Sequence, residues 1–340
     1  MKIFEFSVEK MNRLLTLSKS NFTKNVEDYS IENHLNPDQT LWKAKNRSLN
    51  VQCVLRKINL IDVDLELLEN ESNLDEIVDH PNIINMIENF VQKDYLYTIF
   101  PFANYGSIDK LCKPYGLEEG IIALVMKDLL PALDYLHRNN IIHRAIKGSN
   151  ILIFGDAETS FKFTLSGLKH SFLDDSTSFL NIFDYPTTSS KLLNHLAPEI
   201  LEQNILGYNY KSDIHSVGIL CCELANGIIP FDNISTDELL FYKLIGDTPR
   251  LLDHSCDEMN IFQELIDRLE ISLKQRYRIY MKKRFSSAFH DFVQQCLHCE
   301  PINRPKAYEL MEHTFCSLNK SETESYDRFK EILKKKFHSQ

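Results

Sequence analysis

The sequence has no apolar run approaching the roughly 18 residues that a bilayer-spanning helix requires, so no membrane-embedded role is expected. Its first residues, Met1 to Lys24, scatter Glu5, Glu9 and Lys10 among the apolar positions and lack the uninterrupted core of a secretory signal. No long block of lysine and arginine occurs, and acidic residues outnumber basic ones 48 to 38 for a net charge of -10. Binding to nucleic acid or to an anionic membrane surface is therefore disfavoured. The eight cysteines are single apart from Cys221-Cys222, which is unlike a small secreted disulfide framework. An intracellular, reduced chain is expected, cytoplasmic and with the nucleus as a second location. Cys296-Leu297-His298-Cys299 has the spacing of half a zinc site, but no matching second pair follows. It falls in Phe289–Leu297, which reads as a helix, so cysteine burial is expected there and no metal.

With 340 residues and a 43% hydrophobic composition, the chain can bury a large core. Strand-like segments come early. Val51–Leu60 is apolar and branched, and Tyr95–Phe102 suits a buried strand. Between them Val63–Val78 has helical spacing and stops before His80-Pro81. After Tyr105-Gly106-Ser107 long helices take over, notably Leu117–Asn139 and the very apolar Ser212–Asn226. This order predicts a two-lobed α+β architecture with Tyr105-Gly106-Ser107 as the connection.

The expected division is an N-terminal extension at 1–25, a main domain at 26–316 and a basic C-terminal tail at 317–340. Within the main domain a β-rich N-lobe covers about 26–103 and a helical C-lobe about 106–316. A helical insertion at 257–283 would place Phe262, Leu265, Ile266, Leu269, Leu273, Tyr277 and Tyr280 on one face, for packing on the body or for a partner. Glu322–Lys336 reads as a short basic helix.

Several short motifs follow one another in a telling order. They are Cys53-Val54-Leu55-Arg56, Glu71, His143-Arg144-Ala145-Ile146-Lys147-Gly148-Ser149-Asn150, Leu165-Ser166-Gly167, Ala197-Pro198-Glu199, Asp213 to Gly218, and Arg304. From Tyr29 to Phe315 this series resembles the landmarks of the eukaryotic protein kinases, which implies a bilobal protein-kinase fold. The resemblance separates positions that hold the large lobe together from positions that handle phosphate. The first are kept: Glu199 would pair with Arg304, Asp213 would anchor the backbone near His143-Arg144, and Gly218 would let helices approach closely.

The second are lost. Ala145 stands where the family has its catalytic base, Leu165 where it has a magnesium-binding Asp, and Arg56 where it has the strand lysine. Asn150 remains, but one amide oxygen will not hold magnesium alone. Arg56 would pair with Glu71, while Lys57 points to the other face of the strand. The phosphate-covering loop reads Glu32 to Gln39 with no glycine and with Pro37, and Phe100 and Pro101 add bulk near the expected adenine pocket. No catalytic residue is expected. Arg56, Glu71, Phe102 and Asn150 are the positions at which a weakly held nucleotide would sit.

Arg56-Lys57-Ile58-Asn59-Leu60, Leu165-Ser166-Gly167-Leu168, Leu196–Phe231 and Lys243–Asp253 narrow the likeness. They resemble the STRAD family, the sterile-20-related adaptor pseudokinases, over most of the chain. That resemblance implies an allosteric activator that binds a Ser/Thr kinase of the liver kinase B type. It also implies a helical-repeat scaffold of the calcium-binding-protein-39 family, and weak magnesium-independent ATP as a dispensable ligand. The family's Trp-Glu-Phe tail has no counterpart, since the sole tryptophan is Trp42. The aromatic segment after Gly167 makes Phe183 and Tyr185 the expected partner contacts. The alternative reading is a Ser/Thr kinase with atypical ATP-dependent activity.

Overall fold

Alternation of inward and outward side chains turns the early apolar runs into a sheet. The strands are β1 (Tyr29–His34), β2 (Leu41–Asn46), β3 (Val51–Asn59), β4 (Glu88–Gln92) and β5 (Tyr95–Pro101), antiparallel in the order β1-β2-β3-β5-β4. Cys53 and Leu55 of β3 point to one face and are buried with Ala44, Phe90, Tyr97 and Ile99. Arg56, one residue on, points to the other face, as the strand period of two requires. Phe90 stacks on Tyr97 at 5.3 Å between ring centres. Helix α1 (Leu65–Ile77) follows β3 and buries Leu68, Glu71 and Leu74. The computed structural model describes residues 21–61, 65–156, 160–173, 190–201, 207–255, 271–317 and 322–337.

The chain divides into two units, Met1–Asn104 and Tyr105–Gln340. The second is mainly helical. Helix α2 (Glu119–Arg138) buries Ile122, Val125, Met126, Leu129, Leu133 and Leu136, a stripe at three- and four-residue spacing. It stops at Asn139, and Asn140 turns the chain with a positive φ of 58°. Helix α3 (Lys211–Asn226) is buried on every side and ends at Gly227, which is left-handed at φ 71°. A Cβ on Gly218 would come within 2.7 Å of Leu297, so glycine is what allows α3 this close to the chain at Cys296-Leu297.

Helices α4 (Thr236–Leu244), α5 (Ile271–Tyr280), α6 (Ser287–Cys296) and α7 (Glu322–Phe337) complete the longer helices among the described residues. Short antiparallel strand pairs join β6 (Ile141–Ile142) to β9 (Phe172–Leu173), and β7 (Ile151–Gly155) to β8 (Phe161–Leu165).

Helix α7 lies within the basic C-terminal tail expected at 317–340, and it is part of the second unit. Its Phe329 and Leu333 are fully buried, Phe329 packs on Phe161 and Phe163, and Tyr326 stacks on Phe161 at 4.2 Å. The lysines of its last turn lie at the end where the helix dipole is negative. Residues 257–270 of the expected helical insertion lie outside the described residues, including Phe262, Leu265, Ile266 and Leu269. Tyr280, in the part that is described, is buried and donates its hydroxyl to the Asn226 carbonyl at 2.6 Å.

Candidate functional site

The landmark positions fall into two sets, one in each unit. In the first unit the register of β3 places Arg56 opposite Leu41 on one side and Thr98 on the other. Its guanidinium donates to Glu71 of α1 at 2.5 Å and lies 5.5 Å from the Phe100 ring centre. Burial, and then the negative charge of Glu71, push the Asp75 carboxyl up to about 7. The carboxylate in contact with Arg56 is that of Glu71. The neighbouring Lys57 faces away and sits 3.8 Å from the Tyr95 ring centre. Phe102 lies beneath the Lys43 ammonium at 4.9 Å.

The β1–β2 turn is closed upon itself. The Asn36 side-chain oxygen accepts the N–H groups of Thr40 and Leu41 at 3.0 and 2.9 Å, and Trp42 donates its indole N–H to the Gln39 carbonyl at 2.9 Å. Lys43 pairs with Glu32 at 2.8 Å. The backbone N–H groups of Leu35, Gln39, Thr40 and Leu41 are taken up within this turn, which a phosphate-cradling loop would leave open.

In the second unit Asp213 sets the geometry. Its carboxylate accepts the backbone N–H groups of His143 and Arg144, each at 2.8 Å, and contacts His137 Nε2 at 3.0 Å. Burial opposes its ionisation, yet these hydrogen bonds and the histidine charge hold its pKa below the usual carboxylate value. Arg144 is held at a positive φ of 63° between Phe172 and Tyr208, whose ring centres lie 4.6 and 5.4 Å from its guanidinium carbon. Burial pushes His143 down to about 4, so it is neutral at physiological pH. Its Nδ1 accepts the Ala145 N–H at 3.2 Å, which leaves the proton on Nε2, 3.2 Å from the Ser166 carbonyl.

Ala145 is buried on this loop, and its methyl group can neither take nor give a proton. Its carbonyl accepts the Asn150 side-chain amide at 2.8 Å. Asn150 also lies against Gly167, where a Cβ would approach its amide nitrogen to 2.7 Å. Gly167 has φ 95°, a conformation that glycine adopts without steric cost. Leu165 ends β8 and is buried, so this strand closes on an apolar side chain.

Glu199 and Arg304 meet as a buried two-pronged pair at 2.6 and 2.8 Å. The remaining guanidinium donors reach the carbonyls of His298, Cys299 and Lys211 at 2.7, 3.0 and 3.1 Å. Two further anchors had no separate signal in the sequence. Glu223 accepts the Gly148 N–H at 3.0 Å and contacts His195 at 3.2 Å, and Tyr208 supplies one wall beside Arg144. Phe183 and Tyr185 lie outside the described residues. Among those described, no three His, Cys, Asp or Glu side chains are grouped to hold a metal. Cys296 is buried, and burial pushes its thiol up.

A family model for the protein kinase domain matches residues 40–316. The chain is similar to STE20-related kinase adapter protein alpha of Homo sapiens, with 36% identity over 299 residues that cover 81% of this chain and 68% of that protein. The corresponding alpha protein of Gallus gallus is 34% identical over 284 residues, 77% of this chain and 72% of its own length. STE20-related kinase adapter protein beta of Mus musculus is 35% identical over 286 residues, 76% and 66% of the two chains. With its sheet-rich and helical units and these relatives, the chain belongs to the STE20-related kinase adapter family of the protein kinase superfamily.

Proposed function

We propose that this protein is a catalytically inactive adaptor that binds a Ser/Thr kinase of the liver kinase B type and favours that kinase's active conformation. The observation that carries the reading is the contrast within one loop. Asp213, His143 and Glu223 hold its backbone in place, while its centre presents Ala145 and the adjoining strand ends in buried Leu165. Positioned bases contribute about 10²–10⁴ in rate, and the metal stabilises the charge that develops on phosphate. A loop kept in shape without those groups suits presentation of a surface better than chemistry.

Nucleotide, if held through Arg56, Glu71, Phe102 and Asn150, is a weak, magnesium-independent ligand in this proposal. The closed turn at Asn36 supports that, because it withholds backbone donors from phosphate. Activation is then a population shift, and an adaptor that prefers the partner's active state by about a hundredfold in affinity shifts that equilibrium by the same factor. A scaffold of the calcium-binding-protein-39 family is the proposed third member. The test is the peptide phosphorylation rate of purified liver kinase B, with scaffold present, as this chain is titrated in. A saturable rise of about ten- to a hundredfold is expected. An unchanged rate together with no measurable binding would overturn the proposal.

A further inference from the structure

Single exposed apolar side chains are ordinary on a folded surface, and it is their clustering that carries information. On α4 and its C-terminal end Phe241, Tyr242, Leu244 and Ile245 are 61%, 37%, 49% and 60% exposed. The helix is not loosely attached. On its inner side Leu239 and Lys243, four residues apart, are buried, and the Lys243 ammonium donates to the carbonyls of Leu193, Asn194 and Leu196. A capping box between Ser235 and Glu238 fixes its start, and Gly246 at φ 80° follows its end. With that side anchored, Phe241, Leu244 and Ile245, at spacings of three and four, must face outward. Tyr242 stacks on Phe231 at 6.5 Å and meets Phe241 edge-on at 6.0 Å, which widens the apolar surface.

From Asp232 to Asp247 the exposed charges are all acidic. Asp232, Asp237, Glu238 and Asp247 are all exposed, whereas the helix's lysine is turned inward. Resting on the adaptor reading above, we infer that the outer face of α4 is a docking site for the partner kinase. The segment it receives presents two or three aliphatic or aromatic side chains with lysine or arginine beside them. A second copy of this chain fits poorly, because a two-fold contact would bring Asp237 and its neighbours against themselves. An anionic membrane is repelled by the same carboxylates.

The full-length chain and purified liver kinase B are the probes, with affinity read by calorimetry at two salt concentrations. Phe241→Asp with Ile245→Asp should weaken binding by about tenfold or more. Asp237→Lys should weaken it less and flatten its salt dependence. Thermal unfolding checks that the variants remain folded, and Leu244→Ser replaces the double variant if it does not. Wild-type binding that all these substitutions leave unchanged overturns the docking site and leaves the adaptor reading standing. Failure of the wild-type chain to bind overturns both. A wild-type dimer in sedimentation that the double variant disperses would assign the face to self-association and overturn the proposal.

Discussion

Glu199 and Arg304 show what single residues contribute to this fold. Each is buried and the two are joined by a two-pronged contact, so removing one strands a charge away from water. Glu199→Ala is expected to cost about 3–5 kcal/mol of stability, read as a lower midpoint in urea unfolding. His143 gives a pH signature. Its pKa falls from 6.5 to about 4 on folding, chiefly through burial. Between those values the unfolded chain binds a proton that the folded chain does not, so stability rises with pH across this window and is lost on acidification. The loss at pH 4 reaches about 3 kcal/mol, and the slope from this group fades out by about pH 8. Unfolding of His143→Leu, measured from pH 4 to 7, should lack that part of the slope; a slope equal to the wild type's would contradict the assignment.

At the scale of elements, α7 is the clearest case of a segment whose partners decide its role. Phe329→Ala removes a buried ring from contact with Phe161 and Phe163 and should destabilise the second unit by about 3–5 kcal/mol. Tyr326→Phe removes the oxygen that accepts the Phe161 N–H at 2.9 Å, for a loss of about 1 kcal/mol and faster hydrogen exchange at that amide. Denaturant unfolding and exchange mass spectrometry check both.

The helical period of α7 is legible in the sequence, as are β3 and β5 from their branched and aromatic runs and α3 from its continuous apolarity. The binding face of α7 is not, because its partners Phe161 and Phe163 lie far away along the chain. The same limit explains the candidate site. The positions of Ala145, Leu165 and Arg56 are readable from an ordered series of motifs. The closure of the β1–β2 turn by Asn36 and Trp42, and the Tyr208 wall beside Arg144, depend on three-dimensional proximity that no local pattern announces.

For the molecule as a whole, the proposed adaptor role rests on a frame that holds its shape by itself. The Asp213 clamp, the Glu199–Arg304 pair and the close approach at Gly218 stabilise the helical unit, and none of them needs phosphate to do so. In the sheet unit Arg56 holds Glu71 as an ion pair formed within that unit. Restoring one lost group should therefore not restore catalysis, since base and metal ligand act together on one transition state. Ala145→Asp alone is expected to leave phosphoryl transfer at background.

The central claim, that this chain contributes a surface and no chemistry, is tested most directly by radiolabelled phosphate transfer to a peptide. The chain is assayed alone and in complex with a kinase-dead partner, with magnesium and ATP in excess. The account predicts background incorporation in both samples and strong incorporation only when the partner's own active site is intact. Incorporation with the dead partner that survives repurification and disappears in Asn150→Ala would contradict it and make this chain an enzyme.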